Sequence, residues 1–123
     1  MTDQKEKFKK EFTSRLIRFS VDIMKFANEM STDRNMWALA DQIIRSAGSI
    51  GANVVEAKGS SSKKDYTRFF TIALKSANET KYWLLVAKEY DEKHASKATV
   101  LLKEAEEIAN TIGASVLTLS GKR

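Results

Sequence analysis

Apolar residues recur along this chain at steps of three and four, the spacing of one face of an α-helix, in four separate runs. In the first, Phe8, Phe12, Leu16, Phe19, Ile23, Phe26 and Met30 form a single stripe that predicts a helix over about residues 3–30. Ile17, Val21 and Met24 widen the stripe. A helix at the edge of a monomeric bundle does not need so broad an apolar face, so this one either lies deep in the bundle or contacts another subunit. The pattern breaks at Met30 to Asp33, where Thr32 or Asp33 has the chemistry of an N-cap. Met36, Ala40, Ile43, Ala47, Ile50, Val54 and Ala57 then form the seam of a second helix, over about 34–58.

Gly59 and the three serines after it mark a turn. Ser62 with Asp65 three residues later has the form of a capping box, with aspartate where glutamate is preferred. A Gly-Ser loop ahead of a helix and two lysines also suits phosphate, but the spacing does not match a Walker loop, and the cap is the stronger reading. The third helix, over about 62–90, takes Tyr66, Phe69, Phe70, Ala73, Ala77, Leu84 and Ala87 as its core face. After a break at Tyr90 to Ser96, Leu101, Ala105, Ile108, Ile112, Val116 and Leu119 mark a fourth helix over about 95–119, followed by a basic end from Ser120 to Arg123. Four helices with short connections predict an all-α fold, an antiparallel up-down four-helix bundle, as a single domain spanning 1–123. The absence of proline agrees.

The polar positions add detail. On the second helix Gly48 and Gly51, beside Ala47 and Ala52, leave a low surface that suits close packing between bundle helices or the approach of a second chain. Arg45, Ser49, Asn53 and Glu56 fall within about 80° of one another at 100° per residue, nearly opposite the apolar seam. In a monomer that face meets water; the other reading is a polar lining at a subunit interface or central opening. On the third helix Lys64, Arg68, Thr71, Lys75, Asn78 and Tyr82 share the side away from the core. If the second and third helices fold back about Ser60, Glu56 stands near Lys64 or Arg68 and Arg45 near Ser76, which predicts an ion pair from Glu56.

Charge changes the picture next. The chain has 21 Lys and Arg against 16 Asp and Glu, for a net +5, and residues 45–88 alone carry that whole excess. Lysine and arginine clustered beside aromatics are the footprint of a polyanion-binding surface, here without a base-reading motif and so limited to phosphate contacts. Surface charge kept for solubility accounts for the same numbers. Trp37 and Trp83 are read as core or interface anchors rather than base-stacking platforms.

Catalytic chemistry is not legible. His94 is the only histidine and lacks the partners of a metal site, triad or acid–base pair, so it is expected as an exposed loop residue. Glu56 and Glu79 lie on facing helices without the Glu-x-x-His spacing of a di-metal bundle. No catalytic, metal or cofactor-binding residues are assigned, and a non-enzymatic protein is expected. The chain has no cysteine, no apolar leader and no membrane-length apolar run, so a soluble cytoplasmic protein is expected.

The run from Ile44 to Glu56, then Ser62 to Tyr66 with Arg68 and Phe69, then Ile72 to Glu79, resembles the bacterial four-helix-bundle family named for 23S rRNA intervening-sequence proteins. The likeness is densest over about 40 residues. It implies a small bundle that assembles as a homopentamer, with a poorly defined molecular role. In architecture and charge the chain is also similar to the accessory proteins of diversity-generating retroelements, basic pentamers that bind nucleic acid and a reverse transcriptase. Two positions depart from the family pattern. Ala57 stands where a glycine commonly follows the glutamate, which moves the helix end towards Gly59, and Lys75 stands where a glycine is frequent before Ser76. The expectation is a pentameric homo-oligomer that binds RNA or DNA through Lys63, Lys64, Arg68 and Lys75. The alternative is a structural or adaptor protein that binds a protein partner such as a reverse transcriptase.

Overall fold

The computed structural model describes residues 3–121; the basic end expected at Lys122 and Arg123 lies outside them. The chain folds into helices α1 (Asp3–Met30), α2 (Trp37–Lys58), α3 (Lys63–Tyr90) and α4 (Glu92–Leu119). Each packs on the next, and α4 returns to α1, so the four form an antiparallel bundle. A single 3-10 turn, Arg34–Met36, precedes α2.

Local chemistry explains each boundary. Asp33 caps the 3-10 turn, its carboxylate accepting from the Asn35 N–H at 2.9 Å. Ser62 caps α3, accepting from the Asp65 N–H at 3.1 Å. Only this half of the capping box forms, because the Asp65 carboxylate turns to Arg68 at 3.7 Å. α2 runs through Ala57 to Lys58 with Gly59 as its C-cap, the shift expected from alanine at 57. The α3–α4 boundary differs from expectation: Asp91 alone breaks the chain, with its backbone extended and its carboxylate accepting from the Lys93 N–H at 3.0 Å. Consequently α4 starts at Glu92 rather than near residue 95.

That earlier start carries His94 inside. It is buried, set edge-on against Phe26 with ring centroids 5.8 Å apart, and is not the exposed loop residue expected. Among the described residues its Nε2 has no hydrogen-bond partner. The amphipathic turn of α4 decides its position, since His94 lies one turn before buried Ala98.

The core follows the predicted seams, with two exceptions on α1. Phe8 is 57% exposed, stacked on buried Phe12 but outside the core. Ile17, Val21 and Met24 are also exposed, so α1 does not lie deep in the bundle and its wide face points outward. Gly51 and Gly48 separate by role: a Cβ on Gly51 would sit 3.6 Å from the Leu16 Cβ, whereas one on Gly48 would meet open space. Trp37 is not a core anchor; it is exposed, with its indole N–H donating to the Ser31 carbonyl at 2.7 Å. Trp83 packs partly against the core and donates to Glu79 at 3.0 Å.

Small residues set how closely the helices meet. α2 offers Ala40, Ser46, Ala47 and Ala57, α3 offers Ala73, Ala77, Thr80 and Ala87, and α4 offers Ala98, Ala105 and Ala109, all buried. α1 instead buries Phe12, Phe19 and Phe26, and it approaches α4 less closely than the other neighbouring pairs approach each other. Between α2 and α3 the buried hydroxyls of Ser46 and Thr80 share a hydrogen bond of 2.9 Å. Thr80→Val keeps the shape but leaves Ser46 with only a 3.4 Å contact to the Ile43 carbonyl. Urea titration is expected to show a loss of roughly 1–2 kcal/mol for Thr80→Val, and adding Ser46→Ala is expected to recover part of it.

Candidate nucleic-acid interface

The cap at Ser62 fixes where α3 starts, and its buried face of Phe70, Ala73, Ala77, Thr80 and Leu84 leaves its cations outward. Lys63, Lys64, Arg68 and Lys75 are all exposed. At 100° per residue Lys64, Arg68 and Lys75 share one side, with Lys63 a quarter turn away. Arg68 is held by two contacts, its guanidinium 4.7 Å above the Phe69 ring and 3.7 Å from Asp65. Lys63, Lys64 and Lys75 have no carboxylate of a described residue within ion-pair distance. This face therefore presents cations whose charge is not neutralised locally, spread over about 16 Å of helix at 1.5 Å per residue.

The polar quartet of α2 does not form one water-facing stripe. Arg45 is exposed and pairs with Asp41 one turn earlier at 3.6 Å, not with α3. Ser49 turns to α3, where the Ser76 hydroxyl donates to it at 2.8 Å. Asn53 is half-buried and donates to the Ser49 carbonyl and hydroxyl at 2.8 and 3.0 Å. Glu56 forms no ion pair with Lys64 or Arg68, which corrects the expected bridge. It lies on the α1 side, lining a groove of about 470 Å³ with Thr13, Ile17, Val21, Gly48 and Val55. Register removes Lys64, since Ser46 meets Thr80 and Ser49 meets Ser76, so the two helices pair about Ser62 and Lys63 rather than Ser60 and Glu56 stands level with Phe69 and Phe70; Arg68 turns to Asp65 and the Phe69 ring instead. Ser49 is thus a structural member of the α2–α3 seam, Asn53 is bonded to it from one turn on along α2, and Glu56 belongs to the α1–α2 groove.

Comparison with known proteins places this architecture. Residues 9–114 match the 23S rRNA-intervening sequence protein family. The chain belongs to that family. It is also similar to a crystal structure of a protein of unknown function from the S23 ribosomal protein family of Bacteroides thetaiotaomicron VPI-5482. The TM-score is 0.80 at 28% identity, over 85% of this chain and 97% of that one. A search of curated proteins found no match.

Within this intervening-sequence protein one polar cluster was not anticipated from the sequence. Arg15 on α1 forks onto Glu104 on α4, with both hydrogen bonds at 2.7 Å, and reaches Glu107 at 3.6 Å. Lys97 and Glu29 make a second bridge between the same two helices at 2.5 Å. Neither pairing has a local sequence signal, because the partners come from opposite ends of the chain. Among the described residues no group of three His, Cys, Asp or Glu is placed to hold a metal, and no helix is long and apolar enough to cross a membrane.

The hydrogen bond from Arg15 holds the Glu104 carboxyl below its ordinary value of 4.5; partial burial opposes this, and the charges of Arg15 and Arg18 add to it. A carboxylate with a depressed folded-state pKa stabilises the fold above its unfolded value, and that stability is lost as pH falls through the folded value. Both side chains are 31% exposed, so Glu104→Gln is expected to cost only about 1 kcal/mol at pH 7. The difference from the parent protein should shrink towards zero as acid denaturation is followed below about pH 4.5.

Proposed function

We propose that this intervening-sequence family member is a non-enzymatic homo-oligomer that binds RNA or DNA through its phosphates, using Lys63, Lys64, Arg68 and Lys75. The observation that carries the reading is the outer surface of α3, where exposed Lys63, Lys64 and Lys75 have no acidic partner among the described residues and Arg68 is braced against a ring. Phosphate oxygens supply the anions this face lacks, and the absence of a reading motif makes the binding independent of sequence. Fluorescence anisotropy with unrelated RNA and DNA at several salt concentrations tests it. Binding is expected to weaken linearly in the logarithm of salt, and the triple variant Lys64→Ala, Arg68→Ala, Lys75→Ala is expected to lose about two to three units of salt slope. No binding at low salt, or no loss in that variant, would overturn the reading and leave the basic face to solubility.

Self-association is supported by the α1–α2 surface. Ile17, Val21 and Met24 on α1 and Ile44 and Val55 on α2 are exposed around the groove floored by Gly48 and Gly51. A contiguous apolar surface of this kind on a small bundle suits burial against another copy. The copy number of five rests on the family resemblance alone. Light scattering at micromolar concentration is expected to give a multiple of the 13.8 kDa chain mass, and Val21→Lys is expected to reduce it without loss of helicity. A monomeric parent protein would refute the assembly.

A further inference from the structure

α1 reaches past the end of α2. Lys58, the last residue of α2, places its Nζ on the Lys9 carbonyl and the Thr13 hydroxyl. The six residues Asp3 to Phe8 therefore extend about 9 Å further at 1.5 Å per residue, and all six are exposed. Four lysines, Lys5, Lys7, Lys9 and Lys10, crowd this end, and Lys63 and Lys64 begin α3 just across the turn from Lys58. Phe8 has Lys7 and Lys9 on either side of it about the helix, with Lys10 on the opposite side at 100° per residue; it is 57% exposed, its ring parallel to Phe12 within 6° at a centroid distance of 6.1 Å. A phenyl ring has no polar atom of its own, and an exposed one set near cations offers a flat apolar face beside positive charge.

We infer that this pole is a single-strand site: an unpaired RNA or DNA base stacks on Phe8 while Lys7, drawn from its exposed 4.0 Å pair with Glu11, and Lys63 hold the flanking phosphates. The inference rests on the nucleic-acid reading above and extends it from the α3 face to the overhanging start of α1. Aromatic rings set among cations are the common device for single strands, because every base has a π-face and the contact tolerates any sequence. Three other occupants fit less well. The bases of a duplex are already stacked on one another. An interfacial membrane helix buries a broad apolar face, whereas residues 3–11 expose only one large apolar side chain, among three acids. A second copy meeting this pole in two-fold fashion would set lysines against lysines.

The test uses the full chain with a labelled twelve-nucleotide single-stranded RNA and the matching duplex, read by anisotropy. Phe8→Ala is expected to weaken single-strand binding about five- to a hundredfold and duplex binding less than twofold, with Phe8→Trp restoring the difference. Lys7→Ala with Lys63→Ala is expected to weaken both probes alike and to lower the salt slope. Single-strand affinity unchanged in Phe8→Ala, with binding still lost when Lys64, Arg68 and Lys75 are replaced, overturns this site and leaves the α3 reading standing; no binding by the parent protein removes both. A change of mass in light scattering for Phe8→Ala, or Phe8-dependent binding to anionic vesicles, also overturns the inference by assigning the ring to a subunit contact or a membrane. Unchanged thermal unfolding of Phe8→Ala, expected for an exposed side chain, separates lost stacking from lost fold.

Discussion

Close approach of α2, α3 and α4 is the constraint on which the bundle depends. Alanines, a serine and a threonine occupy the facing positions, so the three helices come near enough for Ser46 to bond Thr80 and Ser49 to bond Ser76 directly. Larger residues would push the axes apart and break both inter-helix pairs, leaving the buried Ser46 hydroxyl with only its 3.4 Å contact to the Ile43 carbonyl. The contacts also fix the register of α2 on α3, since a slip along the helix would break both pairs together. That register determines which way every exposed residue of the two helices points.

α1 joins the other three by a different chemistry. Its buried Phe12, Phe19 and Phe26 are wide, and a helix that inserts rings cannot lie as near to α4 as one that inserts alanine. The remaining span is bridged by long charged side chains, Arg15 to Glu104 and Lys97 to Glu29. On its far side α1 leaves Ile17, Val21 and Met24 uncovered next to the glycine-floored groove of α2. One helix thus supplies core, inter-helix ion pairs and outward apolar surface, which explains the breadth of its stripe in the sequence.

Position along the bundle separates the charged residues by what they can do. Arg15 and Glu104 neutralise each other across a seam and serve the fold. Arg45 and Arg68 have acidic neighbours on their own helices, at Asp41 and Asp65. Lys63, Lys64 and Lys75 have none among the described residues, and their charge is available to an external anion. The end of the bundle where α1 overhangs α2, which is also the end where Lys63 and Lys64 begin α3, adds further lysines and an exposed phenyl ring.

The sequence alone determined the helices, most of the core and the exposure of the α3 cations. Periodicity decides which face of a helix is buried, and caps such as Asp33 and Ser62 act within a few residues of the boundaries they set. The Asp91 cap before Glu92 was also legible, and reading it would have placed His94 in the first turn of α4. Tertiary structure decided the rest. The α2–α3 register set Ser49 opposite Ser76 and moved Glu56 out of level with Lys64, because hydroxyl pairs in the seam, not the position of the turn, align the two helices. The Arg15–Glu104 fork joins residues 89 apart, and no local pattern relates such positions. The exposure of Phe8 depended on where α2 ends against α1, a matter of relative helix lengths that the stripe of α1 does not contain.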